Sequence, residues 1–319
     1  MMKEISVLDF ENVKFGNVSD HEKATGITAI ICPDGAVCGV DIRGGGPASR
    51  EVHLLHPLSN ADKIHAVVLS GGSAFGLDCA GGVMEYLEEH DIGLDTGYAK
   101  VPLVCTSCIY DLGVGDAKFR PDKTMGYRAA ENAFKGIFGT GNEGAGTGAT
   151  VGKLGGGQFM MKSGLGTYAV ELGGLKVGAV VAVNAVGDVY ENGKIIAGML
   201  NPVGPGFADS VQVLYQFQAK QDMPCANTTI GAIITNAAFD KAHMNKVAAM
   251  ASNAYARAIR PINTTADGDS LYAMSVGDFK TDINIVGTLA ADVMEKAIIN
   301  AVRDAKSAYG LKCASDIRR

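Results

Sequence analysis

Strands cluster with strands in this sequence, and helices with helices; that grouping constrains the fold more than any other feature. IHAVVLS (64–70) and the run 230–235 read as short buried strands. QFMMKS, LGTYAVEL and LKVGAVVAVN lie between Gly157 and Asn184, separated by glycine turns, and read as an antiparallel meander. GITAIICPDGAVCGVDIR reads as a hairpin turning at Pro33-Asp34-Gly35, and Ser270 to Val276 as a further strand. Helical periodicity occupies other blocks: Leu77 to His90, Asp122 to Phe134 with Asp122 as cap, Asp240 to Ile259 ended by Arg260-Pro261, and Thr288 to Tyr309 closed by Gly310. Segregated elements of this kind predict stacked layers, an α+β fold, rather than βαβ repetition. No internal repeat and no linker-like break divides the 319 residues. The segment Leu200 to Asn227, richer in Pro and Gln, reads as a surface excursion.

Composition narrows the function classes. A net charge of −6 without a Lys/Arg cluster argues against a nucleic-acid partner, and Arg318-Arg319 reads as a frayed tip. No apolar run reaches membrane-spanning length, and MMKEISVLDFENVKFGN lacks a signal-peptide core, so the expectation is a cytoplasmic protein with no membrane partner. Seven cysteines, an odd number lying mostly in apolar runs, fit that compartment. The CxxC of Cys105 and Cys108 has no second pair or nearby histidines, and core packing is preferred to zinc or redox chemistry. Glycine is the outlier at 42 residues, clustered at 44–46, 71–72, 141–157 and 173–174. Glycine serves tight packing and also close backbone approach to a ligand.

Five stretches carry possible chemistry. GTGATVGKL (146–154) lacks the Walker spacing and offers no hydroxyl after Lys153, which excludes a phosphate loop and leaves Lys153 either aimed at a pocket or solvated. SGGSAFG (70–76) sits between a strand and a helix but fails the nucleophile-elbow pattern. Ser73 remains a rival nucleophile there, and the backbone N–H groups around Gly72 and Ser73 an anion site. Asp267-Gly268-Asp269 places two acids on an extended segment, suited to a proton network, a cation, or an ordinary turn. Asn184 closes an apolar strand, where it either caps a turn or donates to an oxyanion. In MPCANTTIGAIITNAAFD (223–240), Asn227-Thr228 stands where a buried strand begins. A threonine made N-terminal by a cut carries its own base, the α-amine, with a pKa of about 8. The second Asn-Thr-Thr, 263–265, precedes Ala-Asp-Gly rather than an apolar strand and fits that chemistry less well.

GITAIICPDGAVCGVDIRGGGPASRE, HAVVLSGGSAFGLD, YDLGVGDAKFRPD, GAGTGATVGKLGG, VVAVNAVGD and NTTIGAIITNA follow one another across most of the chain. Together they resemble the self-cleaving aminopeptidase/amidase family of L-aminopeptidase D-Ala-esterase/amidase, β-peptidyl aminopeptidase and nylon-oligomer hydrolase, an S58-like peptidase family. The resemblance implies a four-layer αββα sandwich of the N-terminal-nucleophile type, one domain over 1–319 cut into fragments 1–227 and 228–319. It implies Thr228 as nucleophile, Asn184 at the oxyanion, Asp267 and Asp269 as the orienting pair, and Lys153 as their companion. Tyr110 matches a pocket tyrosine, with Ser73 and Gly72 as further pocket residues. Thr228 in place of serine, and Asp267 in place of the supporting serine, depart from the aminopeptidase branch. The reading is amide or ester hydrolysis of a small or peptide-like substrate, without metal or organic cofactor, in a homo-oligomer of four or more chains. Acyl transfer of the ornithine acetyltransferase kind, or ligand binding without catalysis, are the alternatives.

Overall fold

The structure, a computed structural model, describes residues 1–216 and 227–317. Residues 217–226 of the expected excursion and the Arg318-Arg319 tip lie outside these residues.

Among the described residues ten strands form one continuous hydrogen-bonded sheet. In chain order they are β1 (Met2–Ile5), β2 (Lys14–Asp20), β3 (Thr25–Ile42), β4 (Ser49–Arg50), β5 (Ile64–Ser70) and β6 (Val104–Cys108). β7 (Leu165–Leu172), β8 (Leu175–Asn184), β9 (Thr228–Ala237) and β10 (Ser270–Phe279) complete the set. The spatial order is β1-β7-β8-β9-β10-β3-β5-β6-β4, with β2 also on β3. Pairing is antiparallel except for β9 with β10 and β5 with β6.

β3 is the joint. Its first part pairs with β2 and β5, and its second part, Val37–Ile42, pairs with β10. The hairpin expected at Pro33-Asp34-Gly35 is therefore absent. Those residues form an irregularity inside one long strand, where the register against β5 shifts between Ile31 and Ala36 and Gly35 takes a φ of 73°. Such a bulge bends a strand instead of reversing it. The reversal comes earlier, at the turn before Thr25, where Ala24 adopts a φ of 57°.

Period-2 alternation then sorts the side chains into layers. Val67 and Leu69 of one half-sheet meet Val180, Ala182, Ile230, Ala232, Ile234, Tyr272 and Met274 of the other. The opposite faces are covered by helices. Ile27, Ala29, Ile31, Ala66 and Val68 pack beneath α1 (Cys79–Glu89) and α2 (Lys123–Lys135). Past the short α3 (Ser210–Gln216), Val177, Val181, Ile233 and Leu271 pack beneath α4 (Lys241–Ala251), α5 (Asn253–Ala258) and α6 (Ile283–Asp304). The result is the expected αββα sandwich.

Two helices differ from their sequence reading. The block 240–259 breaks at Ser252 into α4 and α5. The last helix starts five residues earlier than expected because Asp282 caps it, accepting Asn284 N–H at 2.7 Å, and it ends at Asp304, so that Gly310 belongs to a separate turn and does not close it. Part of the glycine excess serves layer contact: a Cβ at Gly16 would lie 2.2 Å from Ala133 N of α2, and one at Gly166 only 2.0 Å from Ala297 O of α6. Cys105 and Cys108 are buried free thiols within β6.

Candidate active site

Thr228 and Asn184 are placed by strand pairing. Thr228 opens β9, Asn184 closes β8, and the two are direct cross-strand partners. Both share the parity of the residues that face between the half-sheets, so their side chains leave the same face. Both are buried.

The Asn184 amide is fixed by its partners. Its Oδ1 accepts from Lys153 Nζ at 2.7 Å and from Thr150 N–H at 3.1 Å, with Thr150 Oγ1 at 3.4 Å. Its Nδ2 donates to the Tyr110 carbonyl at 2.9 Å. An amide nitrogen carries two N–H groups, and among the described residues only the Tyr110 carbonyl takes one of them. Lys153 is buried rather than solvated. Its N–H donates to Val186 O at 3.0 Å and its Nζ also reaches Asn184 O at 3.0 Å. Burial pushes its pKa down to about 7, opposed by the charges of Asp267, Asp111 and Asp269.

The Asp267-Gly268-Asp269 segment reaches the same point from β10. Asn227 bridges Asp267 in parallel fashion, and Gly268 N–H donates to Asn227 O at 3.0 Å. Thr228 Oγ1 donates to that same carbonyl oxygen. Asp269 accepts Thr229 N–H at 2.6 Å and Asn263 N–H at 3.0 Å. Asp267 accepts Thr264 N–H at 2.7 Å and Thr264 Oγ1 at 2.6 Å, so the second Asn-Thr-Thr serves to hold an acid. Burial raises the pKa of both carboxyls, and the negative charge of Asp267 raises that of Asp269 further. The glycines at 44–46 are the cradle of this segment. Gly44 N–H donates to Asp269 O at 3.3 Å, Gly45 N–H to Thr264 O at 3.1 Å and Gly46 N–H to Asp267 O at 2.8 Å. A Cβ at Gly44 would lie 2.3 Å from Asp269 N, so the approach excludes any larger residue.

The turn at Gly72 and Ser73 does bind an anion, but the anion is the chain's own Asp111. Gly72 N–H donates to Asp111 Oδ1 and Thr25 Oγ1 to Asp111 Oδ2, both at 2.7 Å. Ser73 N–H is taken by Ile109 O at 2.9 Å. This turn braces the strand end that presents the Tyr110 carbonyl to Asn184. Sequence reading missed Asp111, Thr150 and the donor role of Gly268, since all three act through contacts with residues distant in the chain. Among the described residues no His/Cys/Asp/Glu group is arranged to hold a metal ion.

The geometry brings a hydroxyl, a peptide carbonyl and a converging N–H donor together among buried residues, the elements of acyl-group chemistry. Comparisons agree. An aminopeptidase of Mycobacterium leprae, described as uncharacterised, is 36% identical over 90% of this chain and 85% of its own length. A 6-aminohexanoate-oligomer endohydrolase of Paenarthrobacter ureafaciens is 31% identical over 94% of this chain and 86% of its own. In structure, a protein of Pyrococcus horikoshii superposes with a TM-score of 0.67 at 21% identity, covering 96% of this chain and 89% of that one. The L-aminopeptidase D-Ala-esterase/amidase of Ochrobactrum anthropi, described as a variant of the Ntn hydrolase fold, superposes with 0.64 at 19% identity, covering 94% and 86%. The model of peptidase family S58 matches residues 6–314. The chain is an enzyme of the peptidase/amidohydrolase class, and it belongs to peptidase family S58.

Proposed function

We propose that the chain matures by cutting its own Asn227–Thr228 bond and then hydrolyses amide or ester bonds with Thr228 as an N-terminal nucleophile. The observation that carries this reading is the double engagement of the Asn227 carbonyl by Thr228 Oγ1 and by Gly268 N–H at 3.0 Å. In the first step Thr228 Oγ attacks the Asn227 carbonyl carbon through a five-membered ring. The C–N bond breaks, its nitrogen takes the proton that Oγ gives up and becomes the α-amine of Thr228, and water opens the resulting ester, restoring the Thr228 hydroxyl and leaving Asn227 with a C-terminal carboxylate. Gly268 N–H steadies the oxyanion in that step.

In the second reaction the freed amine accepts the proton of Thr228 Oγ as the hydroxyl attacks the substrate carbonyl. The remaining Asn184 N–H donates to the substrate oxyanion. Lys153 and Thr150 keep Asn184 Oδ1 turned away, so that a donor faces the substrate. Asp269 holds Thr229 N–H, the next amide along, and with Asp267 orients the new terminus. The leaving amine departs, and water releases the acyl group. The names of the relatives, aminopeptidase and 6-aminohexanoate-oligomer endohydrolase, support small peptide-like amides as substrates.

The test pairs wild type with Thr228→Ala on amino-acid p-nitroanilides and 6-aminohexanoate oligomers, with Thr228→Ser as a third arm. Turnover by wild type, residual turnover by the serine variant and none by the alanine variant are expected. Normal turnover by Thr228→Ala would sink the proposal.

A further inference from the structure

Lys162 takes no part in the chemistry above, yet it is one of the largest fully buried side chains of the protein. Lysine is rarely so placed, because an ammonium taken out of water loses its hydration and must find other partners. Burial pushes the Lys162 pKa down to about 7, with the charge of Asp111 opposing. Its Nζ donates to Gly146 O at 2.9 Å, to Ala149 O at 3.2 Å and to Ser163 O. Three carbonyls match the three N–H groups of an ammonium. Two of them belong to one glycine-rich turn. No side chain could replace that turn's backbone: a Cβ at Gly146 would lie 2.1 Å from Leu165 N, and one at Gly148 only 2.2 Å from Ala24 O.

The turn delivers Thr150, the residue that holds Asn184. Thr150 follows Ala149 directly, and Thr150 and Lys162 are partners in a short antiparallel ladder. Ser163 N–H donates to Ala149 O at 3.0 Å and Lys162 N–H to Lys312 O at 2.8 Å, so the clamp is anchored on both sides. Thr150 N–H and Oγ1 then meet Asn184 Oδ1 at 3.1 and 3.4 Å. We infer that Lys162 is a positioning residue: its ammonium gathers the Gly146–Ala149 turn so that Thr150 locks the Asn184 amide with its N–H side toward the substrate. The inference rests on the reading of Asn184 as oxyanion donor.

A double-mutant cycle of Lys162→Met with Asn184→Ala tests it, reading the self-cleavage rate, kcat and KM of matured enzyme, and the thermal midpoint. Lys153 still holds Asn184 Oδ1 at 2.7 Å in the variant. The expected loss in kcat is therefore about 10-fold, below the about 10²–10³-fold for loss of a whole oxyanion donor, with KM changed less than about 2-fold. In the Asn184→Ala background Lys162→Met should change the rates less than about 2-fold. An equal loss in both backgrounds, or none in either, overturns the inference while leaving Asn184 in its role. An unchanged kcat for Asn184→Ala alone overturns the Asn184 reading itself. If Lys162→Met does not fold, Lys162→Gln, which retains two N–H donors, carries the same cycle with a smaller expected loss in kcat, again confined to the background that keeps Asn184.

Discussion

Gly268→Ala isolates the geometry at the bond proposed to be cut. A Cβ built at Gly268 would lie 2.9 Å from Thr228 Oγ1, 2.9 Å from Gly46 O and 3.3 Å from Pro47 Cα. Comfortable separations between non-bonded heavy atoms are about 3.5 Å. The nucleophile must therefore move by roughly half an ångström or change rotamer, because Gly46 is itself pinned to Asp267 O at 2.8 Å. A misplacement of about 1 Å costs about 10²-fold in rate, and loss of an oxyanion donor about 10²–10³-fold. Gly268 has no positive φ, so alanine adds crowding without backbone strain. Self-cleavage should slow about 100-fold, followed by the ratio of intact to cut chain over time. Overpacking also costs about 1–3 kcal/mol of stability, which needs a control. Gly277→Ala supplies it, since a Cβ there would meet Asn236 O at 2.5 Å at the far end of β10, away from Thr228. Cleavage of Gly268→Ala at the wild-type rate, or equal slowing by Gly277→Ala, would refute the reasoning.

Stability should rise with pH between about 7.5 and 8.5. Lys153 and Lys162 have folded pKa values of about 7 against 10.5 when exposed, so in this window the unfolded chain binds more protons than the folded one. Below about 7 both states are charged and the full penalty stands; the gain is up to about 1.4 kcal/mol per pH unit for each group. Urea titration of Thr228→Ala, which stays uncut on this account, measures it, and a flat or falling profile contradicts the burial of two lysines. Asp122→Ala should cost about 1 kcal/mol, because Asp122 accepts Met125 N–H at 2.9 Å at the start of α2. That helix lies in the outer layer, so the rate of self-cleavage should be unchanged; a slowed rate would contradict the separation of outer layer and site.

Apolar periodicity made most elements readable, and the layer order followed from strands neighbouring strands. The failure at Pro33-Asp34-Gly35 has a physical cause. Pro-Asp-Gly favours a turn locally, but the second half of β3 gains pairing with β10, far along the chain, by continuing onward. Local preference lost to a long-range ladder. Ser252 was invisible as a break because apolar spacing continues through both α4 and α5. Asp282 was a readable cap that would have set the start of α6. At the candidate site, the placement of Thr228 and Asn184 at strand ends was legible because each stands at the end of an apolar run; that they pair across two strands was not. Gly268 was not, because its N–H matters only once β10 lies beside β9. Lys162 read as a residue of an ordinary strand; nothing local announces that a lysine will be buried under three carbonyls.

The most direct measurement is the denatured intact mass of purified wild type and Thr228→Ala after incubation at neutral pH, with N-terminal sequencing of any smaller species. The account predicts two fragments for wild type, 1–227 and 228–319, the second beginning at Thr228, and a single full-length chain for the variant. A wild-type chain that stays whole while turning over amides, or a variant cut at the same bond, would contradict it.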